Sequence, residues 1–376
     1  MSAAQNAPFS GHTDPQQRKA VYRHGAEPDS RLDRFDIPAL LESGRARCAS
    51  GLRAAVDRLA SPMDAAAAYH FGWLDVSGRP AGGTSGKALR PALALLSAEM
   101  MGVGDGPGLP GAVAVELLHN FSLVHDDLMD GDEQRRHRDT VWKTHGPETA
   151  ILVGDGLLAL AMEVVLEADS AHSHRAARIL TTATRALIDG QARDLSYEHR
   201  EHVSIEECLN MAGEKTGALL GCSASIGAVL CGADDHTARA LWGYGYQLGL
   251  SFQAVDDLFG IWGDPLVTGK QQWGDLRRRK KSLPVVAAAA SEGISGRRLR
   301  ALLADDAKNE FHAELPEEEL AMRAALVEEA GGRTWTLQEA RRRHLSATRS
   351  LDAISMPDDV RHRFVSLSNF VMSQAV

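Results

Sequence analysis

The chain has 376 residues, of which 44% are hydrophobic, and a formal net charge of −9. These values are typical of a globular protein with a large core, and the length alone allows two or three domains. They argue against a nucleic-acid-binding protein, because releasing counterions from a phosphate backbone requires a basic face. An anionic substrate would have to be bound by local cations and metal ions.

The cysteines and the apolar segments both predict a cytoplasmic protein. The four cysteines have no metal-ligand spacing and are predicted to be reduced core thiols: Cys48, Cys208, Cys222 and Cys231. No N-terminal apolar segment resembles a signal peptide. The most apolar stretch, residues 151–168, is interrupted by three acidic side chains, so no membrane span is expected.

The pattern along the chain predicts a polar tail followed by one helical domain. Residues 1–33 contain scattered Pro, Gly and His without periodicity, which predicts a disordered tail. We expect this tail to be dispensable for catalysis and regard it as a candidate docking segment for a partner. Over residues 34–376, apolar residues recur at helical spacing, as at Leu89, Leu93 and Leu96. Strand-like alternation is nearly absent there, so the expected fold class is all-α.

The first chemically informative segment is His125-Asp126-Asp127-Leu128-Met129-Asp130, at the end of a predicted helix over residues 113–130. At about 100° per residue, Asp126 and Asp130 lie within about 40° of each other, and His119 falls on the same face. Negative charge at a helix C-terminus is disfavoured by the helix dipole, so a bound cation would stabilise the cluster. Mg²⁺ takes one or two carboxylates together with substrate phosphate oxygens. The alternative interpretation is an acidic helix end in solvent.

A second aspartate-rich segment, Asp256-Asp257-Leu258-Phe259-Gly260, also follows an apolar helical run. Gln253 precedes Asp257 by four residues and therefore shares its side of the helix. Cations come after this segment at Lys270, Lys280 and Lys281. Carboxylates placed beside fixed cations indicate that the two segments share one magnesium–diphosphate site. The competing interpretation of the basic run is a solvated surface.

Three further groups of basic residues lie near predicted helix boundaries. Arg135 and Arg136 follow the first aspartate segment, and arginine presents a planar fork that suits phosphate. Lys87 and Arg90 stand just before a proline, which marks the first turn of a helix, where anions bind. Lys215-Thr216 opens another apolar helix. Taken alone, each group is also compatible with a solvated surface or an ordinary helix start.

Six blocks occur along the chain in a fixed order: Gly86-Lys87-Ala88-Leu89-Arg90-Pro91, Glu116 to Asp130 with Arg135-Arg136, Gly190-Gln191 with Asp194, Lys215-Thr216, Phe252-Gln253 to Asp257, and Lys270 with Asp275-Leu276 and Lys280 to Pro284. They resemble the GKxLRP, DDxxD with RR, GQxxD, KT, FQxxDD and GK…DL…KxxLP motifs of the trans-isoprenyl diphosphate synthases, also called polyprenyl synthetases. Any one block is weak, but the ordered set is highly specific and covers the chain from about Lys87 onward.

The resemblance implies an all-α isoprenoid synthase fold, a single helical bundle around a central cavity, usually as a homodimer. It also implies Mg²⁺-assisted condensation of isopentenyl diphosphate with an allylic diphosphate. The implied Mg²⁺ ligands are Asp126, Asp130 and Asp256, which with Lys215 and Lys270 form the catalytic group. The implied ligands of the allylic diphosphate are Arg135, Lys215, Lys270 and Lys280, with Thr216 and Gln253 nearby. The implied ligands of isopentenyl diphosphate are Lys87, Arg90, His119 and Arg136.

Two departures from the family pattern stand out. Gly260 occupies a place where the family usually has an aspartate, which puts a third metal contact there in doubt although Asp264 remains. Asp139 stands where a proline is common. In the family, an aromatic residue five before the first aspartate, here Phe121, accompanies a C20 product, so the resemblance implies geranylgeranyl diphosphate.

Two other functions remain open at the level of the sequence. A terpene cyclase of the same fold needs the metal motifs but not the isopentenyl diphosphate pocket, and retention of Lys87, Arg90, His119 and Arg136 favours condensation. A non-catalytic partner subunit could lose its metal aspartates without harm, whereas this chain keeps most of them.

Overall fold

The computed structural model describes residues 36–82, 86–103, 106–264, 272–308 and 314–373. These residues are almost entirely helical, which confirms the predicted all-α fold. The predicted tail, residues 1–33, and the predicted site residue Lys270 lie outside the described residues.

The N-terminal half contributes seven helices among the described residues. They are α1 (Ile37–Val56), α2 (Met63–His70), α3 (Leu89–Glu99), α4 (Leu109–Met129), α5 (Val141–His145), α6 (Pro147–Leu166) and α7 (Ser173–Glu198). A short antiparallel hairpin between α4 and α5 pairs β1 (Gln134–Arg135) with β2 (Arg138–Asp139). Helix α4 begins four residues before its predicted start, because a proline occupies its first turn, where proline is well tolerated.

The C-terminal half is built in the same way. Its helices are α8 (Ile205–Ala212), α9 (Ala218–Leu230), α10 (Asp235–Trp262), α11 (Gly274–Arg277), α12 (Leu283–Ala290), α13 (Ile294–Lys308), α14 (Glu317–Glu329), α15 (Gly332–Ser350) and α16 (Asp358–Ser373). A π-helical turn, Gly213–Gly217, joins α8 directly to α9.

Helix α9 lies at the centre of the core. All thirteen of its residues are buried, and it packs against α3, α7 and α10. Small residues allow this close packing: a Cβ at Gly227 would overlap the carbonyl of Ala94 in α3, and one at Gly245 in α10 would overlap the carbonyl of Leu220. A helix that is apolar on every side is stable only when it is buried on every side.

Helix α6 carries the apolar stretch noted in the sequence. By length and composition it could cross a membrane, but 39% of its most apolar window is buried inside the protein, where it packs against α4. A single helix of this kind is weak support for a membrane span, since core helices of globular proteins share these properties. Its outer face leaves Ile151, Leu152 and Leu166 exposed.

The four cysteines are unpaired, as the sequence predicts. Cys48, Cys208 and Cys222 are buried and Cys231 is partly buried. Burial raises the pKa of the Cys48 thiol to about 12, so this side chain is neutral and packs as a small apolar group.

Candidate active site

The last turn of α4 brings the first two predicted metal ligands together. Burial raises the pKa of the Asp126 carboxyl, Lys215 opposes this, and the carboxylate of Asp130 adds to it. The Nζ atom of Lys280 lies 3.7 Å from Oδ2 of Asp130. Cations from the C-terminal half of the chain therefore face the aspartate face of α4, as the shared-site prediction requires.

Asp127, between these two ligands, has a different environment. It is buried, and its Oδ1 atom accepts a 2.6 Å hydrogen bond from Nε of Arg135. Burial raises the pKa of Asp127 to about 6, although Arg135 lowers it. This contact anchors the hairpin that carries Arg135 and Arg136 to the end of α4.

The hairpin sends its two arginines in different directions. Arg136 and His137 form its turn, and both have positive φ values, 53° and 61°. A Cβ at Gly86 would overlap the guanidinium of Arg136. The missing Cβ at Gly86 therefore allows Arg136 to lie against the chain beside Lys87. The predicted separation of Arg135 and Arg136 between two pockets is compatible with this geometry.

A second group of predicted residues surrounds Arg90 on the first turn of α3. Burial lowers the pKa of Arg90 to about 10, and the nearby Glu116 opposes this. The buried Nε atom of Arg90 has no hydrogen-bond partner. Burial also lowers the pKa of His119 well below its usual value, so this imidazole is neutral. A buried arginine with an unsatisfied donor suits an anionic ligand.

Glu116 is held in place by a hydrogen-bonded chain that the sequence did not reveal. The side-chain amide of Asn120 donates to Oε1 of Glu116 at 3.3 Å, and its Oδ1 atom lies 3.0 Å from Nε2 of His70. Burial lowers the pKa of His70 to about 3, so its ring is neutral and Nε2 can donate this bond. The chain positions the carboxylate that faces Arg90.

Lys215 and Thr216 occupy the π-helical turn, so the predicted helix start at this point is wrong. Nζ of Lys215 lies 2.6 Å from Oδ2 of Asp194 on α7. A Cβ at Gly190 would overlap the main chain of Lys215, so glycine is needed where α7 crosses the turn. Such π turns recur at functional sites because they redirect side chains without breaking the helix.

The second aspartate segment organises its surroundings through Asp257. The Thr216 hydroxyl donates to Oε1 of Gln253 at 2.7 Å, and Nε2 of Gln253 donates to Oδ1 of Asp257 at 2.8 Å. The backbone N–H of Leu283 donates to Oδ2 of Asp257 at 2.9 Å. Asp257 therefore links α10 to the first turn of α12. Burial, with a contribution from the Asp275 carboxylate, raises its pKa to about 7.

Asp256 approaches the N-terminal half of the chain. Partial burial lowers the pKa of Lys87, and the carboxylate of Asp256 opposes this effect. This places Asp256 close enough to Lys87 for the two charges to interact. Charges on the two aspartate helices and on the Lys87 loop are therefore close enough to influence one another.

The space beside Gly260 is already filled by another carboxylate. A Cβ added at Gly260 would overlap all three atoms of the Asp275 carboxylate group. The aspartate that the family pattern places at position 260 would therefore fit only if the Asp275 carboxylate moved aside. In this chain, α11 places the Asp275 carboxylate directly beside Gly260.

The basic run from Arg277 to Lys281 does not form one solvated surface. Arg277 pairs with Glu317, Arg278 with Asp132, and Arg279 with the buried Asp306. Lys280 faces Asp130, and Lys281 lies in a buried charged group with Asp306 and Arg323. Burial would lower the pKa of Lys280, but the carboxylates of Asp194, Asp130 and Asp275 raise it above its usual value.

Backbone strain accompanies the predicted substrate-binding cations. Ala88, next to Lys87, and Arg279, next to Lys280, have φ values of 53° and 52°. Residues other than glycine seldom adopt this left-handed conformation, and those that do are concentrated at functional sites. The fold therefore fixes the backbone beside each of these two lysines.

The donor set suits Mg²⁺. Among the described residues, no three His, Cys, Asp or Glu side chains already form a metal cluster. Mg²⁺ does not require one, because it binds one or two carboxylates and completes its octahedron with water and phosphate oxygens. The neighbouring carboxylates of Asp126 and Asp130 on α4, and that of Asp256 on α10, are oxygen donors of the kind that Mg²⁺ takes.

Comparison with known proteins identifies the family. The polyprenyl synthetase family model matches residues 77–317. The chain is 46% identical over 349 residues to the (2E,6E)-farnesyl diphosphate synthase of Mycobacterium tuberculosis, covering 93% of this chain and 96% of the relative. It is 42% identical over 322 residues to a geranylgeranyl diphosphate synthase of the same organism, covering 85% and 90%.

A solved structure agrees with these relatives. The crystal structure of a polyprenyl synthetase from Streptomyces coelicolor A3(2) superposes with a TM-score of 0.85 at 66% sequence identity, covering 89% of this chain and 99% of that chain. The resemblance predicted from the motifs is confirmed, and so is the isoprenoid synthase fold. The chain belongs to the polyprenyl synthetase family and is a prenyltransferase.

Proposed function

We propose that the protein condenses isopentenyl diphosphate head-to-tail with an allylic diphosphate, releasing pyrophosphate, and that its product is geranylgeranyl diphosphate. The observation that carries this proposal is the presence of two separate groups of cations. Lys215 and Lys280 face the aspartates of α4, whereas Arg90 is partly buried beside His119 and has a buried, unsatisfied Nε donor. A terpene cyclase needs only the first group.

The first group would bind and ionise the allylic diphosphate. Asp126, Asp130 and Asp256 would hold Mg²⁺, which supplies positive charge to the leaving pyrophosphate when bound. As the allylic C–O bond breaks, negative charge grows on the pyrophosphate, and fixed cations stabilise it without reorganisation. Those cations would be Lys215 and Lys280, together with Arg135, which Asp127 holds in place, and with Lys270, which lies outside the described residues.

The second group would bind isopentenyl diphosphate. Lys87, Arg90 and Arg136 are its cations, and the neutral His119 is able to donate a hydrogen bond to a phosphate oxygen. The C=C bond of isopentenyl diphosphate then attacks the allylic cation, forming the new C–C bond. Loss of one proton restores neutrality, and the released pyrophosphate is the base that accepts it.

Thr216 and Gln253 would orient the allylic end of the site. They are connected by a 2.7 Å hydrogen bond and fixed through Asp257 to the start of α12. Their dipoles are therefore held rigid while charge develops, which is the condition for electrostatic preorganisation.

The C20 product is supported by the residues one turn before Asp126. Ser122 is small, buried and nearly beneath Asp126, so it leaves room for the growing chain. Phe121 packs edge-on against His125 with ring centroids 4.9 Å apart. His125 in turn lies 3.0 Å from the carbonyl of Ile151, next to Gly154, which has no Cβ to exclude it. The ring of Phe121 is thus held by His125, which contacts α6, and we propose that it borders the space that the growing chain enters.

The C15 product, farnesyl diphosphate, is the second candidate. It is favoured by the 46% identity to a farnesyl diphosphate synthase, slightly above the 42% identity to a geranylgeranyl diphosphate synthase. The aromatic residue at position 121, with a small residue at 122, favours the longer product.

A condensation assay tests the proposal. The protein is incubated with isopentenyl diphosphate and each of dimethylallyl, geranyl and farnesyl diphosphate, with Mg²⁺ or with a chelator, and product length is read by mass. We expect a Mg²⁺-dependent C20 product, a longer product from Phe121→Ala and a C15 product from Ser122→Phe. A C15 product from the unaltered protein would refute the chain length, and absence of any condensation would refute the function.

We also propose that the protein is a cytoplasmic homodimer. The support is a set of exposed apolar residues on three helices that pack against one another, Met129, Ile151, Leu152 and Ile188, together with the family resemblance. Light scattering of the purified chain measures its mass, and a monomer at micromolar concentration would contradict the dimer.

A further inference from the structure

Arg278 connects the segments that follow the two aspartate helices. Its Nη2 atom lies 2.7 Å from Oδ1 of Asp132, and its Nη1 atom donates to Oδ2 of the same carboxylate at 3.2 Å. Nη1 also lies 3.9 Å from Oδ2 of Asp130. The guanidinium therefore links Arg278 to Asp132, which lies 146 positions earlier in the chain, beside the proposed metal ligand Asp130.

The two neighbouring arginines show that this placement is specific to Arg278. Arg277 points to Glu317 on α14, and Arg279 points to the buried Asp306 on α13. Oδ2 of Asp130 therefore faces two cations from the same segment, Arg278 at 3.9 Å and Lys280 at 3.7 Å. The side chain of Arg278 is 44% exposed, so a ligand in the site can reach it.

We propose that Arg278 is an additional diphosphate-binding side chain, and that in the free enzyme the Asp132 carboxylate occupies its guanidinium in place of a phosphate. This inference rests on the proposed function. A carboxylate and a phosphate present two oxygens to a guanidinium with the same forked geometry. When a diphosphate occupies the site beside Asp130, its oxygens lie within reach of the same fork, and Arg278 exchanges Asp132 for the ligand.

Asp132 is rigid enough to hold Arg278 in this position. Its backbone N–H donates to the carbonyl of Asp127 at 2.8 Å. Its own carbonyl accepts hydrogen bonds from the Thr140 hydroxyl and from Nε1 of Trp142, each at 2.8 Å. The carboxylate therefore remains beside Asp130 whether or not Arg278 is bound to it.

A purely structural latch would give a different response to mutation. If the Arg278–Asp132 pair only fastened two segments together, removing either partner would have the same effect on ligand binding. If Arg278 binds the diphosphate and Asp132 competes for it, removing Arg278 weakens binding and neutralising Asp132 strengthens it. The signs of the two effects therefore separate the two roles.

The experiment is a calorimetric titration of the full-length protein with inorganic pyrophosphate, with and without Mg²⁺. Arg278→Ala is expected to weaken pyrophosphate binding about tenfold, the loss of one charge-assisted interaction. Arg278→Lys should recover part of the affinity, and Asp132→Asn should tighten binding about threefold, which corresponds to release of a weak exposed ion pair. The matched control is Arg277→Ala, which removes the preceding arginine and should leave the affinity unchanged.

A double variant tests whether Asp132 acts through Arg278. In the Arg278→Ala background, Asp132→Asn should no longer tighten binding, because no guanidinium remains to be released. In steady-state assays, Arg278→Ala should raise KM for the allylic diphosphate and leave KM for isopentenyl diphosphate unchanged.

Three results would overturn the inference. They are pyrophosphate affinity of Arg278→Ala equal to that of the unaltered protein, weaker binding in Asp132→Asn, and equal tightening by Asp132→Asn with and without Arg278. Failure of the proposed function is distinguishable, because it would appear as absence of condensation in the unaltered protein.

Discussion

The two aspartate pairs, Asp126-Asp127 and Asp256-Asp257, look alike in the sequence but are used differently by the fold. In each pair the second residue is buried and binds a neighbouring segment. Asp127 binds the charged side chain of Arg135, whereas the donors to Asp257 among the described residues are neutral: the side chain of Gln253 and a backbone N–H. Asp127 therefore positions a charged side chain, whereas Asp257 holds two parts of the polypeptide together.

The pKa values of the two buried carboxyls reflect this difference. Burial raises the pKa of Asp127 to about 6 against the opposing charge of Arg135. Burial also raises the pKa of Asp257, to about 7, with a further contribution from the carboxylate of Asp275, and the neutral donors oppose this. The comparison predicts that substitution of Asp126 or Asp130 mainly changes chemistry, and that substitution of the buried Asp257 mainly changes structure.

The largest effect is expected from the two proposed metal ligands of the first segment. Asp126→Ala or Asp130→Ala should lower kcat by about 1,000-fold, because each removes a carboxylate proposed to hold the ion that neutralises the leaving group. The measurement is single-turnover condensation, with helical circular dichroism as the control for folding. Near-normal turnover with a normal spectrum would contradict the metal assignment.

The two cation groups should separate the two substrates. Arg90→Ala is expected to raise KM for isopentenyl diphosphate by roughly 10- to 100-fold, the cost of one charge-assisted contact, and Lys215→Ala to do so for the allylic substrate. Initial rates with each substrate varied in turn provide the test. If both variants weaken the same substrate, the two-pocket arrangement is incorrect.

The structural role of the second segment predicts a loss of stability. Asp257→Ala leaves the N–H of Leu283 and the amide of Gln253 without their acceptor, which should lower the free energy of unfolding by about 2 kcal/mol. Asp257→Asn keeps one carbonyl oxygen and should lower the free energy of unfolding by a smaller amount. Urea unfolding of the two variants measures the difference, and equal stability in all three proteins would show that Asp257 does not hold α12.

The smallest effect concerns Gly260. Restoring the family pattern with Gly260→Asp should lower the free energy of unfolding by about 1 kcal/mol and reduce turnover, because the new side chain overlaps the Asp275 carboxylate. The matched control is Gly274→Ala, where an added Cβ meets its nearest neighbour at 3.9 Å. A more active Gly260→Asp protein would show that the Asp275 carboxylate moves aside without cost.

The sequence predicted the features that depend on short spacing. The 3.6-residue period gave the fold class, and the spacing of Asp126 and Asp130 placed them on one face of α4. The contacts of Asp257 with Leu283 and of Arg278 with Asp132 join residues 26 and 146 positions apart, so no local pattern contains them. In the sequence, these contacts are represented only by residue types, an aspartate and an arginine to which no role is assigned.

The local errors have similar causes. The sequence predicts a helix start at Lys215 because an apolar helix follows it, but the glycines on either side mark no helix boundary. These glycines are instead required by close packing, since a Cβ at Gly213 would overlap the Tyr246 side chain. The role of Asp194 as the partner of Lys215 was missed for the same reason, because it depends on the crossing of two helices.

The central claim is that the cations and carboxylates around Asp126 and Asp130 assist ionisation of an allylic diphosphate. Its most direct test is the single-turnover rate with allylic substrates that carry fluorine next to the reacting carbon, which withdraws electrons from a developing cation. If ionisation precedes C–C bond formation, the rate should fall steeply with each added fluorine while binding stays nearly constant. A rate that is independent of fluorination, under conditions where chemistry limits turnover, would contradict the account.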